Sequence, residues 1–197
     1  MMEIEPVTLE GVHVRLEPLA ESHFQGLSEI AFDPELWRLN VNTIRTMEEL
    51  KSSIEGMLMA QAAGTMLPFA IIERAFQRVI GATRFMNIEP PHRRLEIGGT
   101  WIAKPWQRTP INTEAKYLML RHAFEKLGCV RVELKTDALN EQSRRAILRI
   151  GAIEEGTLRQ HTITWTGRAR DSVYFSILDK EWPQVKAGLE AKLTRVR

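Results

Sequence analysis

The segment Trp106-Gln107-Arg108-Thr109-Pro110-Ile111-Asn112-Thr113-Glu114-Ala115 places a guanidinium, two hydroxyls, a proline and an asparagine ahead of a run of helix formers. Residues of these types at a helix start do one of two things. They cap the helix, Asn112 or Thr113 accepting a hydrogen bond from a first-turn amide. Or they form an anion cradle, where unsatisfied amides and the positive end of the helix dipole meet a phosphate and Arg108 adds a charge-assisted bond. A pyrophosphate suits the second reading. Just upstream, Glu96 lies in Arg94-Leu95-Glu96-Ile97 on the face opposite Leu95 and Ile97, either as a general base or as a surface carboxylate paired with Arg93 or Arg94. Gly98-Gly99 interrupts the same strand, which marks a bulge or a close ligand approach. Amides from Gly98 to Ile102 would then be free to polarise a carbonyl.

Other reactive side chains carry less. His13, His23, His92, His122 and His161 show no metal-ligand spacing, and no metal is expected. His122 reads as riding on the exposed side of its helix. Cys129, ahead of a strand, reads as a small buried hydrophobe. Tyr174 alternates with Val173 and Phe175 and faces either an acceptor cleft or the ordinary surface of a sheet.

The elements that must position these groups follow from periodicity. Val12 to Leu16 alternates as a strand, and Ser22 to Ala31 and Met47 to Ala63 read as helices. Phe69 to Glu73, Val79 to Phe85 and Arg94 to Ile102 read as strands. Ala115, Leu118, Met119, Ala123 and Leu127 give Thr113 to Leu127 one apolar helical face, stopped by Gly128. A strand from Val130 to Lys135, a helix from Ser143 to Ile150, strands from Glu155 to Trp165 and Ser172 to Ile177, and a helix from Glu181 to Leu193 complete the chain. Antiparallel hairpins mixed with crossover helices argue an α+β sheet with helices on both sides.

The chain of 197 residues, 44% apolar, suits one domain over 1–197. A net charge of +2 with interspersed signs gives no reason to expect a nucleic-acid or membrane partner. One cysteine fits a reducing compartment, and the opening residues lack the features of a signal peptide, so a cytoplasmic protein is expected. Monomer and homodimer are both compatible with the sequence.

These motifs resemble a known family. Trp106 to Ala115 resembles the Gln/Arg-x-x-Gly-x-Gly/Ala loop that cradles the acetyl-CoA pyrophosphate in GNAT-superfamily N-acetyltransferases. Asn140-Glu141-Gln142-Ser143 resembles their Asn-x-x-Ser helix start, and Ile150-Gly151-Ala152 the Leu-Gly-Phe/Ala that ends that helix. Asn-Thr-Glu-Ala-Lys, Lys-Thr-Asp, Asn-x-x-Ser and Arg-Asp-Ser-Val-Tyr together are similar to the ribosomal-protein N-acetyltransferase branch.

The resemblance implies a mixed, mostly antiparallel twisted sheet with a splayed central strand pair at the cofactor site. It also implies acetyl transfer from acetyl-CoA to a primary amine, whether a small molecule or a protein N-terminus. Cofactor contacts would come from Gly98, Thr100, Trp101, Ile102, Trp106, Gln107, Arg108, Thr109, Ile111, Asn112, Thr113, Asn140 and Ser143. Glu96 would be the base and Ser143 the donor to the leaving thiolate. Pro110 and Asn112 stand where the loop usually has small residues, and Ile147 where many relatives place a tyrosine. Pro110 and Ile147 keep open an alternative, a CoA-binding or interaction module with little activity; a ribosome-associated binding protein is a third reading.

Overall fold

A computed structural model describes Met2 and residues 4–194. The strands are β1 (Leu9–Glu10), β2 (Val14–Pro18), β3 (Leu67–Glu73), β4 (Arg78–Glu89), β5 (Arg94–Ile102), β6 (Arg131–Asp137), β7 (Ile153–Ile163) and β8 (Ala169–Leu178). The helices are α1 (Phe24–Ser28), α2 (Met47–Ala62), α3 (Pro110–Glu125), α4 (Glu141–Arg149) and α5 (Trp182–Thr194). The strands form one sheet in the order β1-β2-β3-β4-β5-β6-β8-β7. Every neighbouring pair is antiparallel except β5–β6. This mixed, mostly antiparallel sheet with helices on both faces is the expected α+β class.

The parallel pair makes the site. β5 and β6 are in register only at Arg94↔Arg131, Leu95↔Val132 and Glu96↔Glu133. Beyond Glu96 each strand runs on alone, to Ile102 and to Asp137, so a gap opens in mid-sheet with unpaired backbone on both edges. A bulge in β4–β5 between Ala82 and Arg84 falls opposite Gly99 and Thr100, and Gly99 has φ +55°. The paired glycines therefore mark an irregularity, as their place in the strand suggests.

Alternation along β3 builds both cores. Phe69 and Ile71 join the cluster under α3 and α5, while Ala70 and Ile72 join Leu27, Leu50 and Ile54 under α1 and α2. Burying a side chain such as Phe69 contributes about 1.5–3 kcal/mol. Glu114 of α3 ties the first core to the β1–β2 turn. Its carboxylate accepts the amides of Val12, His13 and Val14 at 2.8, 2.7 and 2.8 Å.

Several boundaries differ from expectation. The first strand starts at Val14 because Gly11 to His13 form the turn around Glu114, and the two-residue β1 carries no sequence period. The early helix is short, a 3-10 turn at Glu21–His23 followed by α1. α3 begins three residues early, for the capping reason given below. His122 is half-buried and stacked on Phe85 at 6.2 Å, not on an exposed face. The turn at Thr166-Gly167 is present, and it docks across the other face of the sheet. There Trp165 donates from its backbone N to Val41 O at 2.8 Å and from Nε1 to Trp37 O at 3.0 Å. No helix among the described residues is long and apolar enough to cross a membrane.

Candidate active site

At the α3 end of the gap, Thr109 is the helix cap. Its Oγ1 accepts the Ile111 amide at 3.4 Å and donates to Trp106 O at 2.7 Å. Neither Asn112 nor Thr113 caps α3; both lie inside its first turn. Pro110 occupies the first helical position, where an amide has no intrahelical partner and a proline ring is already shaped for the helix. Arg108, just ahead of the cap, takes a left-handed conformation at φ +60°. Gln107 pins the loop to β5 by donating from Nε2 to Ile102 O at 2.9 Å, and Arg78 covers the Trp106 ring at 5.5 Å.

Arg108, Lys104, Gln107 and Gln142 line a cavity of about 400 Å³ with Asp33, Glu35, Leu36 and Arg38. Glu35 pairs with Arg38 at 3.4 Å and Asp33 caps a short turn, which leaves Arg108 and Lys104 as its uncommitted cations among the described residues. The Asn112 side-chain Oδ1 is buried without a partner. Two uncommitted cations beside a helix N-terminus fit a pyrophosphate, so these residues suit a CoA nucleotide, while Asn112 Oδ1 is an acceptor and calls for a donor, not a phosphate oxygen.

α4 closes the same end. Asn140 caps it, its Oδ1 accepting the Ser143 amide at 3.0 Å, and Arg149 donates to Thr113 Oγ1 at 3.0 Å. Asn140 and Ser143 thus meet as the Asn-x-x-Ser pattern implies. Ile147 is buried in the core, so no hydroxyl occupies the position where relatives place tyrosine.

At the apex of the gap stands Glu96, 2% exposed. It pairs with neither Arg93 nor Arg94, the surface partners open from sequence. Arg94 bonds Glu89 and Glu133, while Arg93 bonds Gly128 O. Glu96 Oε2 instead accepts from Asn87 Nδ2 at 2.9 Å and lies 3.1 Å from Lys135 Nζ. Its Oε1 has no hydrogen bond among the described residues and points over Gly98, where an added Cβ would sit 2.8 Å from it. One carboxylate oxygen is therefore anchored and the other open.

Thr100 turns to the opposite face. It receives a 2.6 Å hydrogen bond from Lys116 Nζ and shares one with Thr83 at 2.7 Å. Burial without a carboxylate partner pulls Lys116 down to about 7. Trp101 packs on Trp37 at 5.4 Å, and Ile102 is core. Cys129 is buried and its thiol is pushed up to about 12 by desolvation, which makes it a poor nucleophile. Asn87, Lys135, Lys116 and Arg149 were not legible as site residues, because each reaches the site through strand register or helix packing.

A sheet parted between two parallel strands, with a helix N-terminus at its mouth, defines a CoA-dependent acyltransferase fold. The chain belongs to the acetyltransferase (GNAT) family, whose domain description matches residues 13–153, and it is an acetyl-CoA-dependent N-acetyltransferase. It is 42% identical to a T. thermophilus protein assigned as an acetyltransferase, with TM-score 0.88 over 98% of this chain and 100% of that one. A GCN5-related N-acetyltransferase from Brucella melitensis is 34% identical, with TM-score 0.88 over 96% of this chain and 86% of that one.

Among named relatives, the Escherichia coli ribosomal-protein-serine acetyltransferase is 25% identical, covering 85% of this chain and 94% of that protein. YdaF of Bacillus subtilis, assigned as a ribosomal N-acetyltransferase, is 37% identical over 102 residues, and the match spans 52% of this chain and 55% of YdaF.

Proposed function

We propose that the enzyme acetylates a primary amine at the N-terminus of a protein or peptide, by direct attack on the acetyl-CoA thioester. The observation that carries the reading is Glu96, held through Oε2 and open at Oε1, at the last paired residue before β5 and β6 part. The amine nitrogen bonds to the carbonyl carbon as its proton passes through a water to Glu96 Oε1. Backbone amides along the bulged part of β5 face the oxyanion so formed. The oxyanion collapses, the C–S bond breaks, and the sulfur takes a proton from the Ser143 hydroxyl. The products are an N-acetyl amide and the free thiol; Glu96 then releases its proton to solvent and Ser143 regains one from solvent.

In this reading Gly98, Thr100, Trp101 and Ile102 flank the pantetheine from the β5 edge and Asn140 from the α4 edge. Trp106, Gln107, Arg108, Thr109, Ile111, Asn112 and Thr113 shape the pyrophosphate end. Pro110 costs this cradle one donor but no helix hydrogen bond, so it is compatible with binding. A protein acceptor is supported by the relatives named for ribosomal proteins. An α-amine titrates near pH ~8 and needs only modest deprotonation.

Glu96→Gln tests the reading. It is expected to lower kcat by about 100-fold, with acetyl-CoA affinity by calorimetry unchanged within about twofold. A variant with unaltered kcat across pH 6–9 removes Glu96 from the reaction.

A further inference from the structure

The face of the sheet opposite α3 carries charges that the transfer chemistry leaves unused. Register puts Lys135 and Asp137 of β6 beside Tyr174 and Ser172 of β8, with Arg170 two residues further along the same face. Across the gap the same face carries Glu96 and, paired with Gly98, Arg84 of β4. Three ion pairs form within this row. Lys135 meets Glu96, and Arg168 and Arg170 share Asp137.

Two guanidinium groups keep a buried Nε without a hydrogen bond. Arg170 is 6% exposed, its Nε has no hydrogen-bond partner, and its approach to Asp137 is 3.8 Å, too long for a bond. Arg84 also has a buried, unpartnered Nε, and its one side-chain contact of that kind among the described residues is Nη1 to Met57 Sδ at 3.3 Å. The Arg84 guanidinium lies directly against the β5 bulge, where a Cβ on Gly99 would be 2.3 Å from its Cζ. Burial lowers the pKa of both groups, opposed at Arg84 by the Glu96 charge and at Arg170 chiefly by Asp137. Arginine nonetheless stays charged in proteins, and a buried guanidinium whose donors are not all bonded is unfavourable until a further acceptor meets it.

Arg84 stands on the β5 side of the gap and Arg170 beyond β6, so an acceptor lying over the gap has one guanidinium toward each flank. We propose that Arg84 and Arg170 form a clamp for a carboxylate carried by the acceptor. The substrates are then amines with a carboxylate a few bonds from the reacting nitrogen. That carboxylate comes either from a free amino acid or from an acidic residue next to a peptide N-terminus. The inference rests on the amine-acetylation reading and adds the substrate class to it. The row holds four cations, Arg84, Lys135, Arg168 and Arg170, against the carboxylates of Glu96 and Asp137, which disfavours polycationic acceptors. The donor's own phosphates have Arg108, Lys104 and the α3 amides at the other end of the cleft.

The test uses the full chain and matched acceptor pairs that differ only in charge. One pair set is free amino acids against their α-amides; the other is peptide amides with Glu or Gln as second residue. Release of CoA thiol gives kcat/KM, and the shift in Tm on adding each acceptor without acetyl-CoA gives binding apart from turnover.

The wild type is expected to favour the acid of at least one pair set by about tenfold or more. That ratio is expected to fall to within about twofold in Arg84→Met and in Arg170→Met, and to be partly restored in Arg170→Lys. Whichever set shows the preference identifies the source of the carboxylate. Equal turnover of acids and amides by the wild type overturns the clamp and leaves amine acetylation standing. An acid-specific Tm shift with no turnover of any acceptor leaves the clamp standing and overturns the transfer reading. Preference for the acid that survives in both methionine variants also overturns the clamp.

Discussion

Lys116 is buried on the sheet-facing side of α3, and among the described residues its ammonium meets only the hydroxyls of Thr100 and Thr83, at 2.6 and 3.5 Å. Removal from water without a compensating carboxylate disfavours the charged form, which takes its pKa from 10.5 to about 7. The unfolded chain keeps the ordinary value. Between the two pKa values the unfolded state therefore binds one more proton than the native state, and stability must rise with pH by about 1.4 kcal/mol per unit. The penalty is complete below pH ~7 and vanishes above pH ~10.5; the full interval corresponds to about 5 kcal/mol.

Lys116→Met removes the titration and keeps the length of the side chain. It gives up two neutral hydrogen bonds, about 1 kcal/mol each, while Thr83 and Thr100 still bond each other at 2.7 Å. Urea denaturation of wild type and variant from pH 6 to 9.5 is the assay. The variant is expected to be more stable by about 3 kcal/mol at pH 6, with its advantage shrinking by about 3 kcal/mol by pH 9.5. Parallel stability curves across that range would refute the reasoning, since they would mean that Lys116 has the same proton affinity folded and unfolded.

Three further outcomes are expected. Arg108→Ala should weaken acetyl-CoA binding by about tenfold in calorimetry and leave kcat at saturation within about twofold, because the residue lines the cavity proposed for the nucleotide and not the gap apex. Gly99→Ala forces a left-handed alanine at φ +55° and a Cβ into the Arg84 guanidinium. Thermal or urea unfolding should show a loss of at least about 1 kcal/mol. Glu114→Gln replaces one carboxylate oxygen by an amide donor, which then faces either the Val12 amide or those of His13 and Val14, and should cost about 2–4 kcal/mol in the same assay.

What was legible in the sequence was local. Leu95, Ile97 and the Gly98-Gly99 interruption define β5 from end to end, because a half-buried strand announces itself in steps of two and a glycine pair breaks the step. Asn140 and Ser143 fall where a cap and its first turn must be. The start of α3 was missed by three residues although Thr109-Pro110 carries both signals, an N-cap hydroxyl and a proline at the first helical position. The apolar period begins only later, so periodicity places the start at Thr113 while the cap and proline place it at Pro110.

The charged half of the site could not be read in this way, and the reason is physical. Arg131, Glu133 and Lys135 alternate with Val132 and Leu134, a pattern that by itself means one core face and one wet face. Whether the second face is wet depends on what covers it, and here the Trp165 turn reaches across it to Trp37 and Val41. The same alternation then describes an enclosed polar face, on which each charge needs a partner. Lys135 finds Glu96 only because a three-residue parallel register brings β6 beside β5, a contact between residues 39 apart in sequence. Arg84 has no carboxylate at ion-pair distance among the described residues, and Arg170 shares Asp137 with Arg168. Two buried guanidinium nitrogens without a hydrogen bond on an enclosed face cost stability, and that imbalance, not the fold, is what points toward the acceptor.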